Sequence, residues 1–168
     1  MRNFIAGHSS EVFLKPGEVI ISRNPIMVST ILGSCVAITL YSPAKKLGAI
    51  CHAVHPHSVN REPSLQTVET AIRYIHCKMI EYGGKEDMVI KLFGGARVLA
   101  GGNCHDDRKT IGELNVIEAE KTLAHLGLVL AKKDVGGCQG RKLLFSLKTG
   151  EIFLRRLQNS AHTFWPGE

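Results

Sequence analysis

The chain has 168 residues, 44% hydrophobic and 21% charged, with a mean hydropathy of +0.03. That length suits one domain with a buried core, and the composition argues against both disorder and membrane residence. The formal charge of +6 comes from scattered pairs such as Lys45-Lys46, Lys132-Lys133, Arg141-Lys142 and Arg155-Arg156, without the long basic run or interleaved aromatics of a nucleic-acid surface.

From the N-terminus, Met1 to Gly7 holds no apolar stretch long enough for a signal peptide, and no later run approaches a membrane span. A single cytoplasmic domain over 1–168 is expected. Strands are predicted at 19–21, 26–28, 36–41 and 47–54, with Ser42-Pro43-Ala44-Lys45-Lys46 breaking the last two into a hairpin. Leu65, Val68, Ile72, Ile75 and Met79 then recur at steps of three and four, which predicts a helix capped by Ser64 and stopped at Gly83-Gly84. A short apolar strand at 88–93 leads into a glycine-rich stretch. A second helix is predicted over 112–126, with Val116, Ala119, Leu123 and Leu126 on one face and Gly127 ending it. Strands at 128–131, 142–147 and 151–157 follow, the last pair joined through Lys148-Thr149-Gly150, and 158–168 forms a tail that carries Trp165. Runs of strands around two helices predict an α+β domain, layered, with largely antiparallel sheets.

Five cysteines, Cys35, Cys51, Cys77, Cys104 and Cys138, lack the spacing of a disulfide framework or zinc knuckle, so reduced thiols are expected. One of them stands apart. Leu32-Gly33-Ser34-Cys35-Val36 puts Cys35 after a flexible turn and before an apolar strand, where backbone N–H groups of Gly33, Ser34 and Cys35 could hold an oxyanion. By itself this pattern also fits a buried structural cysteine. A four-residue hairpin loop pairing Tyr41 with Lys46 would set Cys35 directly opposite His52, within thiol–imidazole reach, where the imidazole would stabilise a reactive thiolate. A five-residue loop would put Cys35 on the other face. Ser29 or Thr30, just upstream, could accept a hydrogen bond from the second ring nitrogen of His52 and orient it. His52, His55 and His57 could in principle ligate zinc, but His52 and His55 fall on opposite strand faces and no second ligand pair appears, so no metal is expected. The glycine pairs match no nucleotide-binding pattern, and no organic cofactor is expected.

Six ordered blocks carry a family resemblance: Leu32-Gly33-Ser34-Cys35-Val36; His52 with Pro56; Phe93-Gly94-Gly95-Ala96; Ile111 to Val116; Asp134-Val135-Gly136-Gly137 with Gly140-Arg141-Lys142; and Thr149-Gly150-Glu151. On these the chain resembles CheD, the chemoreceptor glutamine deamidases of bacterial and archaeal chemotaxis. The resemblance implies a Cys35–His52 catalytic pair, with the orienting hydroxyl falling by spacing on Ser29 and with Thr30 as its neighbour. It also implies a layered fold similar to the catalytic domain of cytotoxic necrotizing factor toxins. The implied reaction is deamidation of glutamines on receptor cytoplasmic helices, and the implied partners are CheC-type phosphatases linked to phosphorylated CheY. Two alternatives accompany it: receptor methyl-ester hydrolysis by the same cysteine, and a non-catalytic adaptor that binds a phosphatase or receptor.

Overall fold

The computed structural model describes residues 7–98 and 108–158. In chain order the elements are β1 (Ser10–Phe13), β2 (Val19–Ser22), β3 (Ile26–Leu32), β4 (Val36–Ser42), β5 (Leu47–Ala53), α1 (Val68–Glu81), β6 (Val89–Gly94), α2 (Ile111–His125), β7 (Leu130–Val135), β8 (Arg141–Ser146) and β9 (Ile152–Arg156). They form a four-stranded sheet, β1-β3-β8-β9, and a five-stranded sheet, β2-β5-β4-β6-β7. All pairings are antiparallel except β1–β3 and β6–β7. The fold class is α+β, as the runs of strands around two helices predict.

Two apolar layers hold it together. Val28, Leu32, Ala37, Ile50, Phe93, Leu143 and Phe145 pack between the sheets. Ile38, Leu40, Cys51, Ile72, Ile75, Met79 and Leu123 pack between the five-stranded sheet and the helices. Every residue of β4 and β5 is therefore buried, which is why these strands read as continuous apolar runs and not as alternating ones. Helix α1 follows the predicted periodicity, with Val68, Ala71, Ile72, Ile75 and Met79 buried, whereas on α2 Ala119 and Leu123 are buried, Val116 and Leu126 are partly buried, and Asn115, Glu118 and Thr122 share the buried stripe. No helix of the described residues is long and apolar enough to cross a membrane.

Five expectations change. Helix α1 begins after Thr67 and not after Ser64, because residues 64–67 close a turn of their own, Thr67 N–H donating to the Ser64 carbonyl. Strand β1 was not predicted, since all four of its residues are exposed and its sequence shows no strand pattern. Strand β7 starts later than predicted and runs on through Lys132, Lys133 and Asp134, because it is an edge strand of its sheet and edges carry charge readily. The hairpin closes on Ser42 and Leu47, not on Tyr41 and Lys46, so His52 faces Ala37. The Asp87 carboxylate sets that turn by accepting from Ser42 Oγ and, at 2.7 Å, from Ala44 N–H, while Lys46 takes a left-handed φ of 47°. Finally, Cys35, Cys51 and Cys77 are free, but Cys138 is disulfide-bonded. Sequence spacing of cysteines does not report which loops meet in space.

Candidate active site

The turn between β3 and β4 is tied down through its carbonyls. Ala96 N–H donates to Gly33 O at 2.9 Å, Gly95 N–H donates to Cys35 O at 2.8 Å, and Asn115 Nδ2 donates to Ser34 O at 2.9 Å. All peptides here are trans, so each N–H points opposite to the carbonyl of its own peptide. The Ser34 and Cys35 N–H groups are thereby aimed away from Ala96 and Asn115. Among the described residues, neither donates to a backbone carbonyl.

Asn115 is fully buried on α2 and also donates to Val54 O at 3.0 Å. Two acceptors on one nitrogen fix which end of the amide is which. Asn115 lies in the Ile111 to Val116 block, whose sequence alone assigns it no role. The available signal was a polar residue on the stripe that also carries Gly112, Ala119 and Leu123.

Cys35 lies just before β4, half-buried, against the core between the sheets. His52 is 2% exposed on β5 and faces Ala37, two residues beyond Cys35. The predicted register was off by two residues, and an even slip preserves the face. Cys35 and His52 are therefore diagonal neighbours on the inter-sheet face, roughly 7–8 Å apart in backbone terms where direct opposition would give roughly 4.5–5.5 Å.

The imidazole is held from behind. Its Nδ1 lies 2.8 Å from Thr30 Oγ1, and that hydroxyl donates its own proton to the Leu14 carbonyl at 2.7 Å. With its hydrogen used on Leu14, Thr30 must accept from Nδ1–H, which leaves Nε2 as the ring's lone-pair nitrogen. Nε2 is buried and has no hydrogen-bond partner among the described residues.

Of the two upstream hydroxyls, the structure brings Thr30 to His52 and leaves Ser29 on the opposite face of β3, in register with Phe13 and Leu144. Spacing from the cysteine, which favoured Ser29, counts residues and does not see which face a strand residue takes.

Burial pushes the Cys35 thiol up from its ordinary value and the His52 imidazole down from its own. Burial thus works against the thiolate expected from sequence, because it penalises both charged forms. Cys51, on the helix side of the same sheet, is pushed to about 12 by complete burial.

His55 bridges to Thr67, and the exposed His57 lies 3.9 Å from Glu118. Among the described residues, no group of three or more His, Cys, Asp or Glu side chains is placed to hold a metal ion. Cys104 and the tail beyond residue 158, with Trp165, lie outside the described residues.

Comparison with known proteins gives this arrangement a context. Residues 55–156 match the family model described as CheD chemotactic sensory transduction, a span that begins after Cys35 and His52. A protein of Maridesulfovibrio salexigens, described as a probable chemoreceptor glutamine deamidase CheD, is 40% identical over 156 residues, covering 88% of this chain and 92% of the relative. A similarly described protein of Geobacter sulfurreducens is 37% identical, covering 89% and 91%. One from the archaeon Methanococcus maripaludis is 33% identical, covering 84% and 92%. With more than half of its length matched by the family model and full-length relatives above 30% identity, this chain belongs to the CheD family.

Proposed function

We propose that the chain is a protein-glutamine deamidase that converts glutamine side chains on the cytoplasmic helices of chemoreceptors to glutamate, with Cys35 as nucleophile and His52 as base. The observation that carries this reading is the Leu14–Thr30–His52 relay. It fixes the tautomer that leaves Nε2 able to take a proton, on the face that Cys35 shares.

In the first step Nε2 takes the Cys35 proton as Sγ bonds to the carboxamide carbon. The oxyanion that forms is held by the Ser34 and Cys35 N–H groups, which need no rearrangement to receive it. The imidazolium then gives its proton to the departing nitrogen, and ammonia leaves a thioester. A water molecule, deprotonated by Nε2, attacks that thioester, releasing glutamate and returning the thiol. No cofactor enters this sequence. Deamidation is preferred to methyl-ester hydrolysis because the relatives' descriptions name glutamine.

The setting is cytoplasmic, and a CheC-type phosphatase linked to phosphorylated CheY is the partner that the family resemblance suggests. The test is incubation with receptor cytoplasmic fragments, followed by peptide mass analysis. Site-specific conversion of glutamine to glutamate is expected with the wild type and is expected to vanish in C35A. Conversion that survives in C35A overturns the mechanism. Stable receptor or phosphatase binding with no conversion by the wild type would make the chain an adaptor.

A further inference from the structure

Arg141 opens β8, opposite Leu32 on one side and Arg156 on the other, and its side chain is 1% exposed. Arginine is almost never buried this completely unless its charge is paired and its donors are used. Here Nη1 donates to Gly94 O at 2.7 Å and to Asp134 O at 2.8 Å, and Nη2 donates to Gly136 O at 2.5 Å. The Asp134 carboxylate stands 3.5 Å from Nε and is shared with Arg156 at 2.9 Å. The guanidinium therefore spends its fork on three backbone carbonyls at the ends of β6 and β7.

One of those carbonyls leads to the nucleophile. Gly94 O and Gly95 N–H belong to the same peptide; the carbonyl accepts from Arg141 and from Gly136 N–H, and the N–H donates to Cys35 O. Hydrogen bonds in such a chain polarise one another, so a cation at one end strengthens the bond at the other. The peptide can approach this closely only because residue 94 is glycine. Its φ is +108°, and a Cβ there would lie 2.2 Å from Cys35 O. Asn115 already holds the peptide on the other side of Cys35 through Ser34 O. With both flanking peptides fixed, the direction of the Cα–Cβ bond that carries Sγ is fixed too.

We propose that Arg141 is a positioning residue for the nucleophile: its buried guanidinium, clamped on Gly94, Asp134 and Gly136, orients the Gly94–Gly95 peptide and through it aims Cys35 at His52. This rests on the function proposed above. The clamp joins β8 of one sheet to the turn that opens β4 of the other.

The test uses R141K, which keeps a charge but cannot reach three carbonyls, and G136A. At Gly136 a Cβ meets nothing within 4 Å, but the left-handed φ of +75° disfavours alanine, so the clamp is loosened without being emptied and the chain stays foldable. R141K is expected to lower kcat for receptor-fragment deamidation about 10- to 100-fold at near-constant KM, the scale of a small misplacement of reacting groups. G136A is expected to do the same by a smaller factor. A residue that served stability alone would lower Tm and leave kcat per folded molecule unchanged, and that result in either folded variant overturns the proposal. Alkylation of Cys35 by a neutral haloacetamide, mapped by mass, gives a readout independent of substrate. It should slow in R141K relative to wild type even if glutamine conversion were absent altogether, and an unchanged rate overturns the proposal separately from the deamidase reading.

Discussion

Thr30 spends its one proton on Leu14 and its lone pair on His52, so removing its hydroxyl leaves two buried polar groups unpaired and frees the ring to turn. T30V keeps the shape and is expected to destabilise the fold by about 1–3 kcal/mol and to lower kcat/KM about 10²-fold, the lower end of what a positioned base contributes. S29A removes a hydroxyl on the opposite face and should leave kcat/KM near wild type. Comparing the two variants in a deamidation assay alongside thermal unfolding checks both, and equal losses would remove Thr30 from the relay. The same site sets a pH dependence. His52 is held below its ordinary value of 6.5 by burial, so the unprotonated base persists to lower pH than a solvent-exposed histidine would allow. The acid limb of kcat/KM should therefore lie below 6.5. For stability the sign is that of a depressed group. The unfolded chain binds the proton more readily, so the contribution is complete above 6.5 and is lost as pH falls through the lower folded value. Unfolding midpoints measured across this range should lose that slope in H52A.

At the scale of elements, the site depends on α2 as much as on the strands. Asn115 reaches from the helix to Ser34 O and Val54 O, joining the Cys35 turn to the end of β5. N115L preserves bulk and strands both carbonyls. It should cost about 1–3 kcal/mol and lower kcat more than it raises KM, as read from unfolding and from steady-state deamidation. Loss of stability with kcat intact would reduce Asn115 to a structural bond. The helices were legible because their apolar faces recur at steps of three and four and glycines stop them. Gly127, with φ +70°, ends α2 where predicted. The edges were not: β1 is exposed on every residue, and β7 runs through Lys132-Lys133-Asp134. Pairing with a neighbour makes these segments strands, and no local apolar pattern announces it.

For the whole molecule, the two cores should separate in their effect on catalysis. Thr30 comes from the four-stranded sheet, while Cys35 and His52 come from the five-stranded one, so the layer between the sheets sets the spacing of the relay. F145A opens a cavity in that layer and should cost about 3–5 kcal/mol together with a marked loss of kcat. I75A opens one on the helix side and should cost about 2–5 kcal/mol with kcat per folded molecule closer to wild type. Denaturant unfolding combined with assays at temperatures where both variants are folded distinguishes these outcomes. Equal kcat losses would mean that the relay does not feel the inter-sheet layer.

By itself the sequence determined the α+β class, the two helices, most strand positions and the family, and it singled out Cys35 and His52 as candidates, because periodicity, turn residues and the ordered family blocks are properties of the chain read in order. It placed Cys35 and His52 on one face despite a wrong register, since a slip of two residues leaves strand parity unchanged. Only the tertiary structure decided the rest. Thr30 instead of Ser29 reaches the imidazole because the sheets meet on that face. Asp87 fixes the hairpin register through its bonds to Ser42 and to Ala44, 43 residues earlier in the chain, and Asn115 meets the Cys35 turn, and Arg141 the Gly94 carbonyl beside it, only once α2 and β8 are packed there. Contacts between residues far apart in the chain are set by packing, and packing leaves no local pattern to read.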